Sequence, residues 1–183
     1  MKLLAISGSL RKGSLNTHLI QAAIQALPDG VTADLVSIAD IPVYNEDLDG
    51  EDKPDAVVRL KEAVAAADAL LIATPEYNYA LPGGLKNTLD WLSRPAFKSV
   101  LAHKPAAIMS ASKGPTGGAR AQGQLKLVLA AVLAEAYPAP EFIVPQAQQS
   151  FTEDGVLTDD NVKIRLQRFV NDYIAWVEAR FSR

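Results

Sequence analysis

The stretch ALLIAT at 69–74 is almost wholly apolar, with no alternation of apolar and polar positions. A strand with one wet face alternates, so a run of this kind belongs to a strand buried on both faces, the environment of a parallel sheet covered by helices. A similar short run opens the chain at 2–7, and further strands are expected at 33–38, 105–110 and 141–144. Between them the period changes to that of a helix. Leu19, Ala23 and Leu27 share one face of a segment at 16–27, and Val57, Leu60 and Val64 one face at 54–67, where Pro54 suits a first turn. Helices are also expected at 84–92 and, rich in alanine, at 119–136. After a turn around Asp154 and Gly155, with Asp159 or Asp160 as N-cap, a last helix turns Val162, Leu166, Phe169, Tyr173 and Val177 inward. Strand, loop and helix in strict alternation predict an α/β domain, residues 1–183, with five parallel strands and five helices on both faces. Ligands of such sheets bind beyond the carboxyl ends of the strands. The loops that matter are therefore 8–16, 75–83 and 111–118.

Composition removes several function classes. Twenty-one acidic and 18 basic residues give a formal net charge of -3, and no basic stripe with interleaved aromatics occurs, so nucleic acid is not an expected partner. Cysteine is absent, which rules out disulfides, thiolate metal sites and a cysteine nucleophile and suits a reducing, cytoplasmic setting. The apolar run behind Lys2 is too short for a signal peptide and no stretch has the length of a membrane span, so no membrane association is expected.

The first loop reads GSLRKGSLN, residues 8–16. Gly8 and Gly13 stand five apart as in a Walker A loop, but Ser14 and Leu15 follow where Lys and Ser/Thr belong. Leu10 and Arg11 break a G-x-G-x-x-G dinucleotide fingerprint. What remains is a strand-to-helix loop lined by Ser9, Ser14 and Asn16, with helix N–H groups and Arg11 available to an anion. The alternative is a polar turn with one glycine for backbone freedom.

The second loop begins TPEYNYALPGGLKNTLDWLSR, residues 74–94. Pro75 and Pro82 stiffen a segment able to present a fixed array of backbone groups to the edge of a heteroaromatic ring. Together with GSLRKGSLN and with SASKGPTGGARAQ at 110–122, it resembles the NADPH-dependent FMN reductase family, in particular its quinone and chromate reductase branch. The resemblance spans nearly the whole chain. It implies a flavodoxin-like, doubly wound sheet of order 2-1-3-4-5. Ser9, Arg11, Ser14, Leu15 and Asn16 would hold the phosphate and ribityl end of FMN, and Pro75, Glu76, Tyr77 and Asn78 would frame the isoalloxazine. Ser112, with Gly114, Gly117 and Gly118 around it, would close the other side. The implied activity is two-electron, ping-pong hydride transfer from NADPH or NADH through the flavin N5 to a small-molecule acceptor: a quinone, chromate or free flavin. The family also implies a homodimer or homotetramer.

No side chain stands out as a catalytic acid; solvent, or Tyr77 at most, protonates the product. Arg120 at a helix start opposes the dipole and needs an anionic partner, either a nicotinamide nucleotide phosphate or, as the favoured reading, Glu76 of a neighbouring subunit. Lys113 suits a 2′-phosphate or plain solvent. Asn87 and Asp90 are expected to be structural, Trp91 and Leu92 core or dimer interface, and His18 and His103 surface residues. A rival function, an FMN electron carrier acting on protein partners, calls for a strongly acidic docking face, which the charge balance does not supply.

Overall fold

The computed structural model describes residues 1–181. The chain runs β1 (Lys2–Ser7), α1 (Leu15–Gln25), β2 (Thr32–Val36), a 3-10 turn, α2 (Asp55–Ala66), β3 (Ala69–Ala73), α3 (Gly83–Leu92) and β4 (Pro105–Ala111). It continues through α4 (Ala119–Ala131), β5 (Glu135–Ala136), β6 (Phe142–Val144), a second 3-10 turn and α5 (Asp160–Phe181). Every strand pair is parallel, and the order is β2-β1-β3-β4-β5 with β6 also on β4.

Alternation along each strand sorts the core into two layers. Leu3, Ala5, Leu71, Ala107 and Met109 face α1 and α5, meeting Leu19, Ala23, Leu166, Val170 and Val177. Leu4, Ile6, Leu70, Ile72 and Ile108 face α2, α3 and α4, meeting Leu60, Val64, Leu85, Leu89 and Leu125. Each such leucine contributes roughly 1.5–3 kcal/mol by leaving water, which is why the central strands read as unbroken apolar runs. Among the described residues, buried side-chain polar atoms other than the His18 Nδ1, the Tyr44 hydroxyl and the Arg94 Nε have partners. The Tyr173 hydroxyl donates to the Leu70 carbonyl at 2.8 Å, and burial pushes its pKa well above the usual tyrosine value.

Two expectations change. The helix expected at 119–136 stops at Ala131, because Leu133 takes a left-handed φ of 62° and the Ala134 N–H closes back on the Leu129 carbonyl at 2.9 Å. That is a Schellman-type stop made without glycine, so no composition signal announced it. The residues released form β5, and the sheet has six strands rather than five, the expected fifth being β6. His18, expected at the surface, is only partly exposed. It lies under the turn after Phe151, its Nδ1 buried and unpartnered, and Gly155 is required there because a Cβ would come within 2.5 Å of the ring. His103 is exposed, as expected. No helix among the described residues is long and apolar enough to cross a membrane.

Candidate active site

The three loops leave the carboxyl ends of β1, β3 and β4 and meet over one cleft of about 350 Å³, within the usual range for small-ligand sites. A larger cleft of about 540 Å³ between α1 and the 154–157 turn, lined by Gln21, Gln25, Leu35, Asp154 and Val156, lies away from the three loops and contains no cationic side chain.

The loop after β1 is shaped mostly by itself. Gly8 is glycine because α3 passes over it: a Cβ would stand 2.9 Å from a Leu85 methyl. Ser14 is the N-cap of α1, extended in backbone, its Oγ accepting from the Asn16 N–H at 3.2 Å. The Arg11 guanidinium folds back to donate to the carbonyls of Lys12 and Gly13 at 3.1 and 2.7 Å, and Gly13 takes a φ of 61° that only glycine adopts without cost. Among the described residues the N–H groups of Lys12, Gly13 and Leu15 have no protein acceptor. Ser9, Arg11, Ser14, Leu15 and Asn16 all line the cleft. Asn16 is buried, and its side-chain amide both donates to the Ala111 carbonyl and accepts from the Ala111 N–H, each at 2.9 Å.

The loop after β3 is a small hairpin. Tyr77 and Ala80 exchange both backbone hydrogen bonds at 2.9 Å, and Asn78 and Tyr79 between them have φ of 51° and 69°. That is a type I′ turn, natural for asparagine and strained for tyrosine. The Arg120 guanidinium, 4.2 Å above the Tyr79 ring, holds the strained residue, and Gln124 donates to its carbonyl at 3.3 Å. The Glu76 carboxylate takes the Arg120 guanidinium at 2.8 Å and the Arg120 backbone N–H at 3.0 Å. Arg120 therefore has its carboxylate partner within the same chain, not across a subunit boundary as expected. Glu76 neutralises the cation and caps the start of α4 in one contact. Pro75, Glu76 and Tyr77 line the cleft, whereas Asn78 sits out on the exposed turn.

After β4, Ser112 and Lys113 line the cleft and Gly114 stands behind, its N–H donating to the Ser112 Oγ at 3.0 Å. Gly117 and Gly118 lie beneath, buried. A Cβ on Gly117 would come within 3.0 Å of Ile143, and one on Gly118 within 2.8 Å of Ser110, both with φ in the left-handed region. Their role here is close packing of the loop on β4 and β6. Ala111 also lines the cleft, a residue that sequence could not single out because it contributes only backbone.

Behind the ring loop, Asn87 donates to the Pro42 carbonyl at 2.8 Å and accepts from the Tyr44 N–H at 2.7 Å. Trp91, fully buried, donates to the same carbonyl at 2.8 Å, and Asp90 pairs with Lys86 one turn away at 2.7 Å. These are structural roles. Among the described residues no cluster could hold a metal ion.

At the start of α1 the cleft thus offers free N–H groups, Ser9, Ser14 and Arg11, a donor set for an anion at one end, with a rigid backbone loop at the other. Comparison with known proteins agrees. Residues 1–149 match the NADPH-dependent FMN reductase family. An NAD(P)H-dependent FMN reductase of Pseudomonas aeruginosa is 44% identical over 177 residues, 97% of this chain and 95% of that one. A 2-hydroxy-1,4-benzoquinone reductase of a Burkholderia species is 38% identical over 98% of each chain. Among solved structures, the flavoenzyme NAD(P)H:acceptor oxidoreductase FerB of Paracoccus denitrificans superposes with a TM-score of 0.90 at 36% identity, covering 97% of both chains. A flavodoxin of Pseudomonas aeruginosa, 14% identical with a TM-score of 0.62, shares the fold. Loops, cleft and relatives converge: the chain belongs to the NADPH-dependent FMN reductase family.

Proposed function

We propose that the protein is an FMN-dependent NAD(P)H oxidoreductase acting on quinones or similar flat acceptors. The observation that carries this is the polarity of the cleft: unpartnered N–H groups and the Arg11 cation at the start of α1, opposite a stiff hairpin after β3. FMN has the same polarity, a dianionic phosphate at one end and a flat ring at the other, and the residues present fit it.

The N–H groups of Lys12, Gly13 and Leu15, the Ser9 and Ser14 hydroxyls and the α1 dipole would hold the phosphate. Pro75, Glu76 and Tyr77, with Asn78 shaping the turn beyond them, would bound the ring on one side, and Ser112, Gly114 and Gly117, through the loop they shape, on the other. The chemistry FMN supplies when bound is two-electron transfer from NAD(P)H to a second, flat acceptor. The protein's part is fixed geometry and fixed dipoles. The Glu76 and Lys113 N–H groups have no protein acceptor and flank the cleft, so negative charge that develops on a ring between them meets donors already in place. Because Arg120 neutralises the Glu76 carboxylate, that carboxylate does not oppose such charge. Tyr77, half exposed, lines the cleft, and it or solvent would protonate a product. Quinones enter this reading through the names of relatives, and a cytoplasmic homodimer or homotetramer is its expected setting.

The test is anaerobic. FMN-loaded protein is mixed with NADPH, then NADH, and the flavin's visible absorbance is followed. Fast bleaching, reversed by a quinone, is the expected result, and the faster donor is the preferred nicotinamide. Flavin that stays yellow with both donors moves the protein to the class of electron carriers. Failure to bind FMN removes the site assignment itself.

A further inference from the structure

We propose that Asn16 is a positioning residue: its side-chain amide replaces a missing stretch of β3, holding the Ala111 peptide while leaving the Glu76 N–H free for the ligand. The inference rests on the cleft being the FMN site.

β3 and β4 run in register with Ala73 opposite Met109, and the Thr74 N–H still donates to the Met109 carbonyl at 2.9 Å. Two residues on, the same register would set Pro75 opposite Ala111. A continuing parallel ladder would send the Ala111 N–H to the Thr74 carbonyl and bring the Glu76 N–H to the Ala111 carbonyl. Neither bond forms, because the chain leaves the sheet at Pro75. Ala111 is only 2% exposed, and a buried peptide left without partners is costly.

Asn16 supplies both missing partners. Its Nδ2 donates to the Ala111 carbonyl and its Oδ1 accepts from the Ala111 N–H, across a sequence separation of 95. A primary amide carries donor and acceptor in one plane, as a peptide does. A carboxylate lacks the donor, and an aliphatic side chain lacks both. Asn16 is itself 3% exposed, and both ends of its amide are engaged. Its side chain is therefore a strut between the loop after β1 and the loop after β4. The strut is also what lets the hairpin after β3 swing clear. With Ala111 satisfied by Asn16, the Glu76 N–H has no protein acceptor, and Glu76 lines the cleft.

The experiment measures hydrogen exchange of the Ala111 amide in cofactor-free protein, as protection factors, for the wild type, Asn16→Ala and the near-isosteric Asn16→Asp. Asn16→Ala should lower Ala111 protection at least about tenfold while Leu4 and Ile6 in β1 keep theirs. Asn16→Asp keeps an acceptor for the Ala111 N–H but sets a carboxylate oxygen against the Ala111 carbonyl; this repulsion should lower protection at neutral pH, and protection should recover as acid protonates the carboxyl, which again offers a donor and an acceptor. If Asn16→Ala does not fold, Asn16→Asp makes the same comparison. Both variants should bind FMN more weakly, by about tenfold or more at neutral pH. Unchanged Ala111 protection, an equal loss in β1 and β4, or no recovery of Asn16→Asp in acid overturns the strut. Full FMN affinity in a variant that has lost Ala111 protection overturns its link to the site. Failure of the wild type to bind FMN would sink the site reading alone, leaving the exchange result standing.

Discussion

The loop after β1 and the loop after β3 face each other across the cleft and are held in opposite ways. The first is held mainly from within. Ser14 caps the next helix, Arg11 closes on carbonyls one and two residues away, and the side chain of Asn16 makes its long-range tie. The second is held from a distance. Its two left-handed residues are pinned by Arg120 and Gln124 of α4, some 45 residues on, and by the Glu76 carboxylate that caps that helix. A site can thus combine a cradle that folds with its own helix and a ring platform that exists only once α4 has docked.

The strongest way to break this contrast is to displace α4. Gly118 has a φ of 91°, and a Cβ there would meet Ser110 at 2.8 Å. Gly118→Ala should cost about 2–3 kcal/mol in urea denaturation and raise amide exchange across 76–80 more than across 12–16. Equal effects on the two loops would abolish the distinction. Ser14→Ala tests the other side. Loss of the cap should cost about 1 kcal/mol, with weaker FMN binding by titration and no change in exchange at 76–80. Arg120→Ala should cost about 1 kcal/mol or less, because the guanidinium is half exposed, yet it should accelerate exchange at Tyr79 and Ala80 selectively. The smallest effect lies at the far side of α4. The Lys126 ammonium bonded to Glu141, with a backbone bond, holds that carboxyl below its ordinary value. A lowered carboxylate pKa stabilises the fold above the ordinary range and is lost as pH falls through the folded value. The stability difference between wild type and Glu141→Gln should therefore be present at neutral pH and vanish in acid, read by thermal melts at stepped pH.

The same contrast explains what could be read in the sequence. The layers were legible because buried parallel strands leave apolar runs such as ALLIAT, and the cradle because glycines, a cap and a cation fall within nine residues. The partner of Arg120 was half legible: the helix dipole demanded an anion and pointed to Glu76, but not to the Glu76 of the same chain. Asn78 was expected beside the ring, and the left-handed turn it forms with Tyr79 was hidden because Asn-Tyr is not a usual type I′ pair. The stop at Leu133 was hidden for a similar reason, as neither glycine nor proline stands at 132–136 to mark the end of an alanine-rich helix. Ala111 has no side-chain chemistry to see. Its importance lies in a peptide group whose partner is 95 residues away.

β5 and β6 divide one edge of β4 between them, Pro105–Ala106 going to the first and Met109–Ala111 to the second. The chain between, through Pro138 and Pro140, is a solvent-facing seam that takes no part in the cleft. Extra residues spliced in at that seam would lengthen a detour rather than shift a strand, because the pairing on either side is fixed by separate stretches of β4. A tag, a reporter or an evolutionary insertion placed there would ride outside the sheet, with the cofactor's end of the molecule left as it was.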